Sequence, residues 1–155
     1  MLWIAIGHRV HAPTERARTR VTGEWSLHFQ CPWRLSGPDG IVTGSGDIFE
    51  CANPSAASSF DPHRPGDAVA DVRLRAWLDA RANQPATIVG VDGDRCGGLC
   101  LQLTGDFRFE AFPETTAVPE RFGEYWRLLR PGRDASHFVV RSCGIEEGQC
   151  AMRRC

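Results

Sequence analysis

The 155-residue chain has no lysine, so arginine provides all 18 of its basic side chains. We interpret this absence as the codon usage of a GC-rich genome. With 19 acidic residues the formal net charge is −1, which gives no sign of a general attraction to nucleic acid or to a membrane surface. The chain also has no apolar run near the roughly 20 residues that a membrane-spanning helix needs.

The apolar opening MLWIAIGHRV lacks the basic leader region and the small-residue cleavage site of a secretory signal. It therefore predicts a first strand, and we expect a cytoplasmic protein with no nucleic-acid partner and no membrane partner. The following segment HRVHAPTERARTR is rich in arginine but has no aromatic residue on which a base could stack. A solvated connection is predicted there, and contact with an acidic partner or an RNA backbone is the alternative.

No CxxC pair occurs among the seven cysteines, and the closest spacing is Cys96-Gly-Gly-Leu-Cys100. An odd number of cysteines in a chain of this length does not indicate a disulfide framework. A zinc site that combines Cys96, Cys100 and His63 or His137 is one interpretation. We favour the other, in which reduced thiols act as small hydrophobic side chains, so no metal and no cofactor are predicted.

The sequence also lacks a P-loop, a GxGxxG motif, an HExxH motif and a GxSxG motif. His28, Ser45 and Asp47 have the residue types of a hydrolytic triad. Polar residues spread over a sheet seldom meet the geometry of such a triad. No catalytic residue is therefore predicted, and a non-enzymatic role is favoured, with an enzyme as the alternative.

What the sequence does have is a strict alternation from Glu24 to Leu35, which predicts one half-buried antiparallel strand. The following Gly37-Pro38-Asp39-Gly40 suits a type I turn. A return strand from Ile41 to Glu50 would complete a hairpin. In this hairpin the expected register pairs Leu35 with Val42, Trp33 with Gly44, Cys31 with Gly46 and Phe29 with Ile48.

This register gathers polar side chains on one face of the hairpin, beside a loop over residues 52–66. That face is either a solvated sheet surface or a binding surface. If the chain has a ligand or partner site, we expect it here, because titratable, cationic and amide groups are concentrated on this face. The predicted site residues are His28, Gln30, Arg34, Ser45 and Asp47.

The rest of the chain predicts one helix over about residues 67–82, with short strands near 86–91, 99–104, 107–111, 125–130 and 137–141. Leu103 and Phe107 lie on one face of their hairpin only if the loop between the strands has an odd number of residues. We expect such a loop, with the backbone of Gly105 near the left-handed region. The fold class is therefore α+β: a mainly antiparallel, curled sheet of about 7–8 strands with one principal helix. A single domain is expected over 1–143, with a flexible tail over 144–155. The predicted core comprises Trp25, Phe29, Trp33, Trp77, Leu101, Leu103, Phe107 and Phe109.

Five segments of the chain resemble a group of small, uncharacterised, single-domain bacterial proteins of actinobacterial type. The segments are EWSLHFQCPWRL, GIVTGSGDIF, GGLCLQLTGDFRFEAFPE, EYWRLLRPG and HFVV, in that order, within residues 1–141. The layout is also similar to that of some immunity proteins of bacterial toxin systems. The resemblance implies no activity and assigns no catalytic residue.

Two functions follow as hypotheses. The first is a small non-enzymatic binding or interaction protein, of which an immunity-like protein that blocks a partner is one form. The second is a small-molecule-binding protein or enzyme with its site on the polar face of the 24–50 hairpin. A homodimer formed through a sheet edge or face is compatible with both hypotheses.

Overall fold

A computed structural model of the chain describes residues 1–13, 19–114, 123–132 and 137–148. The chain divides into two compact units, residues 1–31 with 113–155 and residues 32–112. We call these the first unit and the second unit. Each has its own antiparallel sheet of five strands, so the α+β class is confirmed and the single sheet of 7–8 strands is wrong.

Within the described ranges, the elements follow the chain in the order of strands, one α-helix and further strands. The strands are β1 (Leu2–Pro13), β2 (Thr19–Phe29), β3 (Trp33–Gly37), β4 (Gly40–Gly44), β5 (Ile88–Gly93), β6 (Leu99–Leu103), β7 (Phe107–Ala111), β8 (Glu124–Leu129), β9 (His137–Arg141) and β10 (Gly144–Gly148). The α-helix α1 covers Val69–Asp79, and 3-10 helices cover Ser45–Phe49 and Pro54–Ser59. The helix lies within the predicted range, which confirms that prediction.

The first sheet has the strand order β1-β2-β8-β9-β10. The alternation that begins at Glu24 does not continue as one strand, because β2 ends at Phe29. There the backbone N–H groups of Gln30 and Cys31 both donate to the carbonyl of Tyr125, at 2.8 and 3.2 Å. The next strand, β3, begins at Trp33 and belongs to the second sheet. The prediction of a single strand over Glu24–Leu35 is therefore wrong. The alternation continues without interruption although the chain passes from the first sheet to the second, so a period of two does not show where one strand ends.

The second sheet has the strand order β4-β3-β7-β6-β5. The turn predicted after Gly37 is present, because Gly37 pairs with Gly40 across Pro38 and Asp39. The predicted register is wrong: Leu35 pairs with Thr43 and Arg34 with Gly44, with an irregularity beside Leu35. The return strand stops at Gly44, and a 3-10 helix replaces its predicted second half.

The hairpin between β6 and β7 has the odd-numbered loop that the sequence predicts. Leu103 pairs with Phe107, so three residues form the loop. Gly105 has a φ of 76°, in the left-handed region that glycine enters at no steric cost. This register keeps the leucines of β6 and the phenylalanines of β7 on one face, as predicted.

The two ends of the first sheet differ from the expected layout. The basic segment after residue 7 is not a connection, because β1 and β2 pair from Arg9 with Gly23 to Pro13 with Thr19. Residues 14–18, which include two of its arginines, lie outside the described residues. The predicted tail over 144–155 begins with β10, which pairs with β9, and residues 149–155 lie outside the described residues. None of the helices in the described ranges has the length and apolar character that crossing a membrane requires.

The predicted core residues divide between the two units. Phe29 of the first unit is fully buried beside Leu27 and Trp126. In the second unit Trp33 is 2% exposed, and its ring stacks on Phe109 at 5.8 Å between centroids. Each sheet therefore buries apolar side chains of its own. Four residues of the predicted core are only partly buried: Trp25, Trp77, Leu103 and Phe107.

Candidate functional site

The five predicted site residues do not share one hairpin face. His28 and Gln30 belong to the first unit, whereas Arg34, Ser45 and Asp47 belong to the second. The grouping fails for the same reason as the strand prediction, because the chain changes sheets between Phe29 and Trp33.

Ser45 and Asp47 make contacts that hold the backbone of the second unit. The hydroxyl of Ser45 accepts a hydrogen bond of 3.3 Å from the backbone N–H of Trp33. The carboxylate of Asp47 accepts 2.7 Å from the fully buried hydroxyl of Thr43. It also lies 3.5 Å from the guanidinium of Arg73 on α1. These contacts hold the 3-10 helix against β3, β4 and α1, so Ser45 and Asp47 have a structural role.

Arg34 has a two-point ion pair with Glu110 on the neighbouring strand β7. Its Nε donates to Oε2 at 2.7 Å and its Nη2 to Oε1 at 3.1 Å. The hydrogen bonds from Arg34 lower the pKa of Glu110, although its partial burial acts in the opposite direction. The same bonds raise the pKa of Arg34. Both side chains are therefore charged at neutral pH and held in a fixed orientation.

Beside this ion pair, the second unit has an open groove of about 440 Å³. This volume lies in the usual range of small-molecule sites. The groove is lined by Arg34, Asp92, Gly93, Asp94, Gly98, Leu99, Cys100, Glu110, Ala111 and Phe112. One arginine and three carboxylates give this lining a formal charge of −2. Arg34 is the predicted site residue that lines the groove.

The wall of the groove is the loop between β5 and β6, which Asp94 organises. Its Oδ1 accepts hydrogen bonds of 2.8 Å from the backbone N–H groups of both Cys96 and Gly98. A Cβ atom at position 98 would collide with the Asp94 carboxylate. Glycine is thus required at this position for the carboxylate to bind the loop.

The floor of the groove carries Asp92 and Cys100, which pair across β5 and β6. Asp92 accepts a hydrogen bond of 2.9 Å from the side-chain amide of Gln102. Burial raises the pKa of the Cys100 thiol, and the charges of Glu110 and Asp92 raise it further. The thiol is therefore protonated at neutral pH and does not have the character of a reactive thiolate.

Glu110 and Asp92 are groove residues that the sequence interpretation missed. Glu110 lies 76 positions after Arg34, and only the pairing of β3 with β7 brings the two together. The one available signal was the alternation of Arg108 and Glu110 with Phe107 and Phe109, which already assigned Glu110 to the polar face of its strand.

His28 and Gln30 belong to a separate polar cluster in the first unit. His28 is 7% exposed, and its Nδ1 lies 3.8 Å from Oε1 of Glu124. Gln30 also bonds to the Glu124 carboxylate. Within the described ranges, no three side chains among histidine, cysteine, aspartate and glutamate come together as a metal site.

No family model and no curated protein matches the sequence, and no solved structure matches the chain. The resemblance to small proteins of actinobacterial type therefore stays a prediction. Any functional inference depends on the chemistry of the two clusters.

Proposed function

We propose that the chain is a non-enzymatic binding protein whose second unit takes a cationic group, an ammonium or a guanidinium, in the groove beside Arg34. The observation that carries the proposal is the charge of the groove lining. Three carboxylates and one arginine line the open groove of about 440 Å³.

The ion pair of Arg34 and Glu110 leaves the other two carboxylates of the lining to attract a cation. Arg34 directs both bonded nitrogens at Glu110, so its charge is neutralised within the groove. Asp92 and Asp94 accept hydrogen bonds only from neutral donors among the bonds described above. Their negative charge is thus available to a ligand, with a strength that salt reduces.

Phe112 gives the groove an apolar surface suited to a cation. This residue is 42% exposed, and the guanidinium carbon of Arg34 lies 5.7 Å from the ring centroid. A cation over an aromatic face gains about 0.5–1 kcal/mol at an exposed site. An organic cation can therefore combine carboxylate contacts with packing on this ring.

The protonation states of the groove support binding over catalysis. The pKa of Glu110 is held below its ordinary value by Arg34, so this carboxylate is a weak base. The pKa of Cys100 is raised, so its thiol is a poor nucleophile at neutral pH. Neither group has the protonation behaviour that acid–base or nucleophilic chemistry uses.

The test is titration of the ¹⁵N-labelled protein with n-butylammonium, methylguanidinium and, as the neutral control, n-butanol. The two cations are expected to shift the amide signals of Leu99–Cys100 and Glu110–Phe112. Asp92→Asn should weaken this binding by about two- to fivefold, the usual effect of one exposed charge. Asp106→Asn, in the β6–β7 loop away from the groove, is the matched control and should bind normally. Equal shifts with n-butanol, or no loss in Asp92→Asn, would contradict the proposal.

The cation can belong to a free small molecule or to an arginine or lysine side chain of a partner polypeptide. The second case is the immunity-like form of the proposal. The peptide acetyl-Gly-Arg-Gly-amide separates the two sources. If the peptide shifts the same amide signals as methylguanidinium, the groove can bind an arginine side chain of a polypeptide partner. If only the free cations act, the groove is selective for small amines or guanidines.

A further inference from the structure

The buried imidazole of His28 joins the edge strand of the first sheet to a charged cluster. His28 on β2 pairs with Trp3 on β1 and with Arg127 on β8. The Trp3 ring stacks on the imidazole at 4.2 Å between centroids. Trp3 itself is 50% exposed, so this indole separates the imidazole from solvent on the β1 side.

One nitrogen of His28 has no hydrogen-bond partner within the described part of the chain. This nitrogen is Nε2, which is buried. The other nitrogen, Nδ1, lies 3.8 Å from Oε1 of Glu124, beyond hydrogen-bond distance. A neutral imidazole has one N–H donor, whereas an imidazolium has two. The neutral tautomer with its proton on Nδ1 directs that N–H group toward Glu124, so protonation of this tautomer adds the new donor at Nε2, where the described structure offers no acceptor.

Glu124 is already engaged by other groups and does not compensate fully for a charge on His28. Its carboxylate accepts a hydrogen bond of 2.6 Å from Nε of Arg127 and a second from Nη2 of the same guanidinium. Burial alone raises the pKa of Glu124, but Arg127, Gln30 and His28 together lower it below the ordinary value. The carboxylate is therefore ionised, and it already accepts hydrogen bonds from Arg127 and Gln30.

The charged groups that face His28 are Glu124 and Arg127 of β8 and the amino group that precedes β1. Burial lowers the pKa of His28, Glu124 raises it, and Arg127 and the amino group lower it again. The balance favours the neutral imidazole in the folded state.

We propose that His28 is an acid-sensitive latch: when its imidazole takes up a proton, the Leu2–Ile6 segment of β1 separates from β2. Two structural facts direct the response to this segment. Trp3 is the half-exposed side chain that covers the imidazole, so moving it gives the new N–H access to water. In addition, β1 is an edge strand among the described residues, where its one partner is β2.

Opening the latch would change the surface of the first unit. Leu2, Ile4 and Ile6 pair with Phe29, Leu27 and Trp25, so their separation exposes apolar side chains on both strands. It also frees the backbone groups of β2, which can then accept another strand. Attraction between the imidazolium and the Trp3 ring opposes opening, but it provides no acceptor for the buried N–H group.

The proposal is tested by NMR of the ¹⁵N- and ¹³C-labelled chain between pH 7.5 and pH 5. Three signals are expected to change with one common midpoint below 6.5, the ordinary pKa of histidine. They are the His28 ring signal, the Trp3 indole N–H signal and the amide exchange of Leu2–Ile6, corrected for intrinsic exchange. Titration of His28 without faster exchange in this segment would overturn the proposal, and this result needs no variant.

Two variants and one control sharpen the test. His28→Gln stays neutral and should abolish the midpoint in β1 exchange. Glu124→Gln removes the carboxylate that favours the imidazolium and should move the midpoint to lower pH. His63→Gln replaces an exposed histidine of the second unit and should leave the midpoint unchanged. Persistence of the midpoint in a folded His28→Gln protein, or its displacement by His63→Gln, would also overturn the proposal.

Discussion

Arg34 and Glu110 stand directly opposite each other on β3 and β7 and form a two-point ion pair, although 76 positions separate them in the sequence. The pair lies at the edge of the groove and neutralises its one arginine. The geometry of the sheet thus decides which charges of the groove a ligand meets.

Replacing Arg34 by glutamine should have a small effect on stability and a larger effect on the groove. The side chains of Arg34 and Glu110 are 46% and 28% exposed, so solvent screens their attraction. A decrease of about 0.5–1 kcal/mol in the free energy of unfolding is expected from urea denaturation. The same change should strengthen n-butylammonium binding, because it leaves Glu110 unpaired. Arg75→Gln, on the exposed side of α1, is the control and should alter neither quantity. Weaker amine binding in Arg34→Gln would contradict this account of the groove.

Trp33→Ala should destabilise the second unit strongly. Trp33 is 2% exposed and stacks on Phe109, so its removal leaves a ring-sized cavity. The expected loss is about 3–5 kcal/mol in the free energy of unfolding, measured by urea denaturation. Phe49→Ala removes another aromatic ring, but one that is 72% exposed, and should have little effect. Similar losses in the two variants would show that the packing around Trp33 is misassigned.

Gly98→Ala should disturb the wall of the groove more than the sheet below it. The new Cβ atom would meet the Asp94 carboxylate, which holds the backbone N–H groups of Cys96 and Gly98. Displacement of that carboxylate removes two hydrogen bonds, at about 0.5–1.5 kcal/mol each. Gly46→Ala is the matched control, because a Cβ atom there meets nothing within 4 Å. The expected result is weaker binding of n-butylammonium and a lower free energy of unfolding in Gly98→Ala only.

The cysteines should differ sharply in their reaction with iodoacetamide at pH 8. Burial raises the pKa of Cys31 to about 11, so little thiolate forms there, and the side chain is also shielded. Cys96 is exposed and should react much faster than Cys31 in the native protein. Under denaturing conditions all seven cysteines should react, as expected for free thiols. Peptide mass spectrometry after timed quenching measures both rates, and equal native rates for Cys31 and Cys96 would contradict the prediction.

Local patterns predicted the elements whose determinants are close in sequence. Leu103, Gly105 and Phe107 suffice to define a three-residue hairpin loop, and the structure confirms it. The helix Val69–Asp79 likewise lies within the range that the sequence predicts. Both depend on contacts within a few residues, which a single sequence reveals directly.

The arrangement of strands could not be predicted in the same way. The alternation from Trp25 to Leu35 is equally consistent with one strand and with two strands in different sheets. The two arrangements differ at the end of β2, where the backbone N–H groups of Gln30 and Cys31 donate to the carbonyl of Tyr125, nearly 100 residues later in the chain. The groove follows the same rule, because Glu110 and Asp92 reach Arg34 only through long-range pairing. Among the predicted site residues, Arg34 was assigned correctly to the polar face of its strand, and it is the one that lines the groove.

The pH dependence of stability should report His28 and Glu124 in separate ranges. Well above pH 6.5, the ordinary pKa of histidine, the imidazole is neutral in both folded and unfolded chains, so it adds no slope. Because the folded-state pKa of His28 is lowered, the unfolded chain binds more protons as the pH falls below 6.5, and stability decreases. The pKa of Glu124 is also lowered, so its contribution is complete above its ordinary value of 4.5 and is lost as the pH falls through the folded-state pKa. Urea denaturation of the wild type and of His28→Gln from pH 8 to pH 4 should give curves that diverge between 6.5 and 5. Below 4.5 both should fall steeply, since Glu124 is present in both chains, whereas parallel curves throughout would show that the pKa of His28 is the same in the folded and unfolded chains.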